Sequence, residues 1–142
     1  MKVRRGTYND IAEIVQVKED YHPNSNLHDI PFVRKDAVKI VQYYLAASEC
    51  CPLVVEDDEG QISGLLFASV EPFFFNKAAR YATDLMFISN GYGMALLNAF
   101  KEWAHEVGVD RIMMGVSSGD VRADTFLELA GFKKTGGMYV IH

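Results

Sequence analysis

The chain has 142 residues, 49% hydrophobic and 23% charged, the length and balance of one globular domain with a full core. Its formal net charge of −5 argues against a nucleic-acid partner, which normally meets a basic face, and leans slightly toward a cationic one. No apolar run approaches the roughly 20 residues of a membrane span, and Met1-Lys-Val-Arg-Arg-Gly-Thr lacks the apolar core of a signal peptide, so no membrane association is expected.

With no repeat, linker or low-complexity tract, residues 1–142 read as a single domain. Lys2–Gly6 reads as a first strand. Thr7 or Asn9 then caps a helix whose apolar positions Ile11, Ile14 and Val15 recur at helical spacing. Tyr21–Phe32, rich in Pro, Asn, His and Asp, reads as a loop. Arg34–Ser48 resumes helical periodicity through Ala37, Val38, Val41, Tyr44 and Leu45. The adjacent Cys50 and Cys51 are badly placed to bridge each other, so they read as reduced core residues of a cytoplasmic protein.

Pro52–Glu56 and Gln61–Val70 are extended runs around the turn Asp57-Asp-Glu-Gly60, a hairpin pattern. Pro72–Lys77 reads as a loop carrying Phe73, Phe74 and Phe75. Tyr81–Ile88 is extended again and stops at Ser89-Asn90. A helix follows the glycines of the turn, with Leu96, Leu97, Phe100, Trp103, Ala104 and Val107 as its core stripe and Gly108 as its stop. Arg111–Val116, apolar on both faces, reads as a central strand. Asp120 or Asp124 starts a short helix running to Leu129. Phe132–Thr135 and Met138–Ile141 read as two further strands bent at Gly136-Gly137. The order predicts an α/β fold: a mixed central sheet of six or seven strands flanked by about four helices.

The stretch Phe87-Ile-Ser-Asn-Gly-Tyr-Gly-Met carries the strongest chemical signal. A glycine turn that opens a helix directs unpaired N–H groups and the positive end of the helix dipole at one point, an anion site suited to phosphate. Asp84 interrupts an otherwise apolar strand just ahead of it. A charge there is costly unless it is paired or functional, so Asp84 reads equally as an acid–base group or as a carboxylate that caps a helix or pairs with Arg80 or Arg111. Glu71, at the end of the preceding strand, is a second acid directed to the same region. His22, His28, His105 and His142 lack metal-ligand spacing, so no metal is expected.

Three segments in order, Gly91-Tyr-Gly-Met-Ala-Leu-Leu-Asn-Ala-Phe-Lys-Glu-Trp-Ala, Gly108-Val-Asp-Arg-Ile and Ala123…Phe126-Leu-Glu-Leu-Ala-Gly-Phe132, make the chain resemble the GNAT N-acetyltransferase superfamily, in its short bacterial and phage form. The resemblance runs from Val3 to Val140 and implies an acetyl-CoA-dependent N-acetyltransferase acting by direct attack of an amine, on a small molecule or a protein. It places the pyrophosphate of CoA on the amides of Asn90, Gly91, Tyr92, Gly93 and Met94, and the pantetheine arm along Met86, Phe87 and Ile88. It assigns Asp84, with Glu71, to proton removal from the amine, and puts Tyr21, His28, Phe74 and Ser117 around the acceptor.

The chain departs from the family pattern in two places. Ile88 stands where the family has Gln or Arg, and Leu127 stands where a tyrosine acid is frequent. The proton donor is left to Tyr92, Tyr139, Ser117 or Ser118. Family members often form homodimers. The alternative reading is a non-catalytic CoA-binding GNAT-like regulatory or interaction protein, with the Phe73–Phe75 cluster as an interaction surface.

Overall fold

The computed structural model of the chain describes residues 1–116 and 121–142. Strand β1 (Lys2–Arg5) leads through one 3-10 turn into α1 (Ile11–Tyr21), and α2 (Arg34–Ala46) follows. Three long strands come next: β2 (Cys50–Glu56), β3 (Ile62–Phe73) and β4 (Asn76–Ile88). The chain closes with α3 (Gly93–Val107), β5 (Arg111–Met113) and α4 (Val121–Leu129). Among the described residues the sheet has five strands in the order β1-β2-β3-β4-β5, antiparallel except for the parallel β4–β5 pair.

Side chains alternate across these strands, so each face of the sheet has its own core. One face packs on α1 and α2 through Ile14, Val15, Val41, Tyr44, Val54, Leu65, Phe67, Met86 and Ile88. The other packs on α3 through Leu53, Val55, Leu66, Ala82, Leu96, Leu97, Phe100 and Ala104. Cys50 belongs to the first cluster and Cys51 to the second, and both are buried, as the sequence led us to expect. Phe67 and Phe100 are wholly enclosed, and truncating either to alanine costs about 3–5 kcal/mol.

At the β1–α1 corner, Asp10 accepts two parallel hydrogen bonds from the Arg4 guanidinium, at 2.7 and 2.9 Å. The Thr7 amide and hydroxyl also donate to it, at 2.7 and 3.1 Å. Arg4 reaches Glu56 on β2 as well, at 2.7 Å, so one guanidinium ties the first strand to the second and to the start of α1. Paired and hydrogen-bonded in this way, Asp10 is held at a pKa of about 2, chiefly by Arg4.

The structure corrects four expectations. Among the described residues the sheet has five strands rather than six or seven, because residues after Gly131 form no ladder. That segment runs past the outer side of β5 across a hollow of about 420 Å³ and is fastened by side chains instead: Lys134 to Asp124 and His142 to Asp29. For the same reason β5 is an edge strand of three residues, not a central one. The expected loop Pro72–Lys77 is absorbed into the β3–β4 hairpin, where Phe73 pairs with Asn76 and only Phe74 and Phe75 form the turn. Tyr21 is not a loop residue but the last residue of α1.

Candidate functional site

The site begins where β4 loses a neighbour. Tyr81, Ala82 and Thr83 pair with Arg111, Ile112 and Met113, and there the parallel ladder stops. On the other edge of β4, Phe67 pairs with Met86 but the next residue, Ala68, pairs with Asp84, which leaves Leu85 as an extra, bulged residue. The bulge turns β4 away from β5, and a cleft of about 360 Å³ opens between them. Thr83 through Phe87 form one wall and Gly115 and Val116 the other. Lys18 and Tyr21 of α1, Asn26 and Leu27 of the following loop, Phe126 and Leu127 of α4 and Met138 complete the enclosure.

Asp84 sits at the vertex of this cleft. Its Oδ1 accepts the Gly115 amide at 3.0 Å, and this bond spans the two diverging strands. Burial raises its pKa above the ordinary 3.8, and the Gly115 amide and its own amide only partly oppose that rise. Among the described residues no cation pairs with it. It is a carboxyl group whose proton affinity lies closer to neutrality than that of an exposed aspartate, which suits a group that takes a proton from a reactant.

Lys18 is the second charge in the cleft. Its ammonium stands 5.8 Å from the Tyr21 ring centre, within cation–π range, and burial lowers its pKa. Sequence reasoning missed it, although a signal existed. Lys18 falls on the same helical stripe as Ile11, Ile14 and Val15, where an aliphatic residue was due.

After Ile88 the chain turns through Gly91, at φ +93°, a left-handed conformation that glycine adopts without strain. Tyr92 caps α3 without any side-chain hydrogen bond, so the first-turn amides are left open to an incoming acceptor. Gly93 is buried at this point because a Cβ would stand 2.9 Å from Ser89 Oγ and 3.2 Å from Phe126 Cζ. The turn is thereby drawn close against α4. Asn90, Gly91 and Met94 are exposed at its rim, and Tyr92 is half-buried against the α3-side core.

Of the residues singled out in the sequence, the cleft brings together Asp84, Met86, Phe87 and Tyr21. Ile88 is buried in the core facing α1 and α2 rather than in the cleft. Glu71 is exposed on β3, where Ser69 Oγ donates to it at 3.1 Å, and it does not line the cleft. His28 is exposed too, its ring bonded to the Ser25 carbonyl at 3.0 Å while its neighbour Leu27 enters the cleft. Phe74 lies at the tip of the β3–β4 hairpin, 93% exposed. Ser117 and Ser118 lie outside the described residues.

A model of the acetyltransferase (GNAT) family matches residues 11–132, which include the glycine turn, α3 and the described cleft residues except Met138. The chain belongs to the GNAT family. No curated protein matches the sequence. Solved structures match along the whole chain: an acetyltransferase described as putative from Agrobacterium tumefaciens (17% identity, TM-score 0.78, 100% of this chain and 99% of that one); and an aminoglycoside 6′-N-acetyltransferase from Acinetobacter haemolyticus (11%, TM-score 0.75, 100% and 97%). A protein described as a predicted acetyltransferase, from Clostridium acetobutylicum and determined with acetyl-CoA, matches equally well (16%, TM-score 0.78, 99% and 95%). At these identities the likeness shows the fold.

Within this GNAT domain the open turn and the cleft fit an acyl-CoA in separate ways. The uncapped amides and the glycine backbone suit a pyrophosphate. The apolar wall of Met86, Phe87, Phe126 and Leu127 suits the arm. No helix is long and apolar enough to cross a membrane, and among the described residues no cluster of His, Cys, Asp or Glu could hold a metal ion.

Proposed function

We propose that the chain transfers an acetyl group from acetyl-CoA to a primary amine by direct attack. The observation that carries this reading is the half-buried Asp84, without a cation partner among the described residues, at the vertex where β4 and β5 part, beside the bulge at Leu85. Acetyl-CoA supplies the acyl group as a thioester. The residues of this chain do the rest.

The amides at Asn90, Gly91, Tyr92, Gly93 and Met94 hold the pyrophosphate, and Met86 and Phe87 line the arm. The bulge frees part of the β4 backbone from the ladder, so an amide near Leu85 can meet the negative charge that develops on the acyl oxygen. A lysine-like primary amine has a pKa near ~10.4 and reacts only after losing a proton, which Asp84 takes directly or through water. Leu127 cannot return a proton to the leaving thiolate. Tyr21 brings the one phenol among the described cleft residues, and we assign it that part. Ile88, turned into the core, leaves phosphate binding to the backbone. We also propose a cytoplasmic location for the enzyme.

Incubation with acetyl-CoA and a panel of amines, following release of free thiol, tests this function. Acceptor-dependent release is expected. A chain that acetyl-CoA stabilises against heat, but that releases thiol to no acceptor, is instead the non-catalytic CoA-binding protein.

A further inference from the structure

Beside the cleft lies a second, half-open chamber of about 300 Å³, at the lower end of the range for small-molecule sites. Val15, Phe32, Ala37, Ile40 and Val41 of the α1–α2 layer enclose it. It shares Lys18, Leu27, Leu85 and Met86 with the cleft, so the two spaces meet at the bulge. Among the described residues, the one charged residue lining the chamber is Lys18, at the junction. The one carboxylate among the described cleft residues is Asp84.

We propose that the chamber receives the side chain of an apolar amino acid or a close analogue, whose carboxylate is held by Lys18 and whose amine faces Asp84. This rests on the reading of the cleft as the transfer site and narrows its acceptor. The charges decide it. A cation in a half-buried apolar neck loses hydration, and among the described residues no carboxylate pairs with Lys18. An acceptor carboxylate replaces that lost hydration with a charge-assisted hydrogen bond. A plain hydrocarbon guest, such as a longer acyl chain, leaves the cation without a partner. A polyamine places a second positive charge against it.

The test uses the full chain, titrated calorimetrically with L-leucine, L-leucinamide and glycine, in the presence and absence of CoA. L-leucine is expected to bind about tenfold or more tightly than either of the others: over leucinamide by the size of one hydrogen bond to a charged group, and over glycine by burial of its side chain. Lys18→Met keeps the side chain's bulk and removes its charge. It should abolish the leucine-over-leucinamide preference while leaving leucine over glycine, and Lys18→Arg should restore much of the first.

Equal affinities for leucine and leucinamide, a ratio unmoved by Lys18→Met, or no binding of L-leucine at millimolar concentration would overturn the proposal. Its failure is separable from that of the transfer reading. If acetyl-CoA gives no thermal stabilisation while leucine binding still depends on Lys18, the transfer function falls and this site stands. If acetyl-CoA stabilises the chain and leucinamide or putrescine is the better acceptor, only the amino-acid assignment falls.

Discussion

Two aspartates, one at the β1–α1 corner and one at the β4–β5 cleft, meet burial in opposite ways. Asp10 is 8% exposed and surrounded by donors: two from Arg4 and two from Thr7, which hold its pKa at about 2. Asp84 has the Gly115 and its own amide and no described cation, and burial moves its pKa up. The corner has spent its carboxylate on holding three segments together. The cleft keeps a carboxylate whose charge is under-compensated and therefore ready to change. For a buried acid, its set of partners separates a structural role from a chemical one better than burial does.

The strongest way to break this comparison is Asp84→Asn. Loss of a general base should lower kcat by roughly 10²–10⁴-fold, and because an under-compensated, half-buried charge is removed, the melting temperature should stay level or rise. An unaltered rate would clear Asp84 of the role. Asp10→Ala should do the reverse. The fall from 3.8 to about 2 corresponds to about 2 kcal/mol of stability, while activity per folded molecule stays unchanged. Chemical denaturation of the variant measures this directly.

The two acids also give stability opposite slopes with pH. The depressed pKa of Asp10 means its contribution is complete above 3.8 and is lost as the pH falls toward about 2. The raised pKa of Asp84 means stability declines as the pH climbs from 3.8 through its folded value. Melting curves against pH should therefore lose the rising limb in Asp10→Asn and the declining contribution in Asp84→Asn. A profile unmoved by both substitutions would dissolve the contrast.

The smallest expected effect is at the glycine turn. Met94 is exposed in the first turn of α3, so Met94→Glu should add about 0.3–1 kcal/mol of stability through the helix dipole. The same charge should weaken CoA binding, seen as a smaller CoA-induced rise in melting temperature. A full CoA response in this variant would move the pyrophosphate elsewhere.

Much of the fold was legible because its segments are locally consistent. The stripe Leu96-Leu97-Phe100-Ala104 could only be a buried helix face, and Asp57 with Gly60 marked the β2–β3 hairpin. The fate of residues 132–141 was not legible. Their alternation suits a strand, but pairing is a property of the edge they must reach, and β5 offers three residues. At the site, Asp84 was visible as a charge within an apolar strand. The bulge at Leu85 was not, since nothing in Asp84-Leu85-Met86 announces an extra residue. Glu71 was grouped with the site from its place at a strand end, and His28 and Phe74 through the family resemblance, neither of which reveals where a side chain is directed. Lys18 was overlooked on a face read as merely apolar. Overall net charge pointed toward a cationic acceptor, whereas the cation lining the cleft points the other way.

The consecutive cysteines of β2 also have a practical consequence. Cys50 and Cys51 face opposite cores, are 1% and 2% exposed, and burial pushes both thiols up, Cys51 to about 11. The native chain is thus mute toward colorimetric thiol reagents, and liberated CoA can be counted against a silent background. Once the strand leaves the sheet, both sulfurs become available together, one from each side, so the same reagent becomes a stopwatch for global opening.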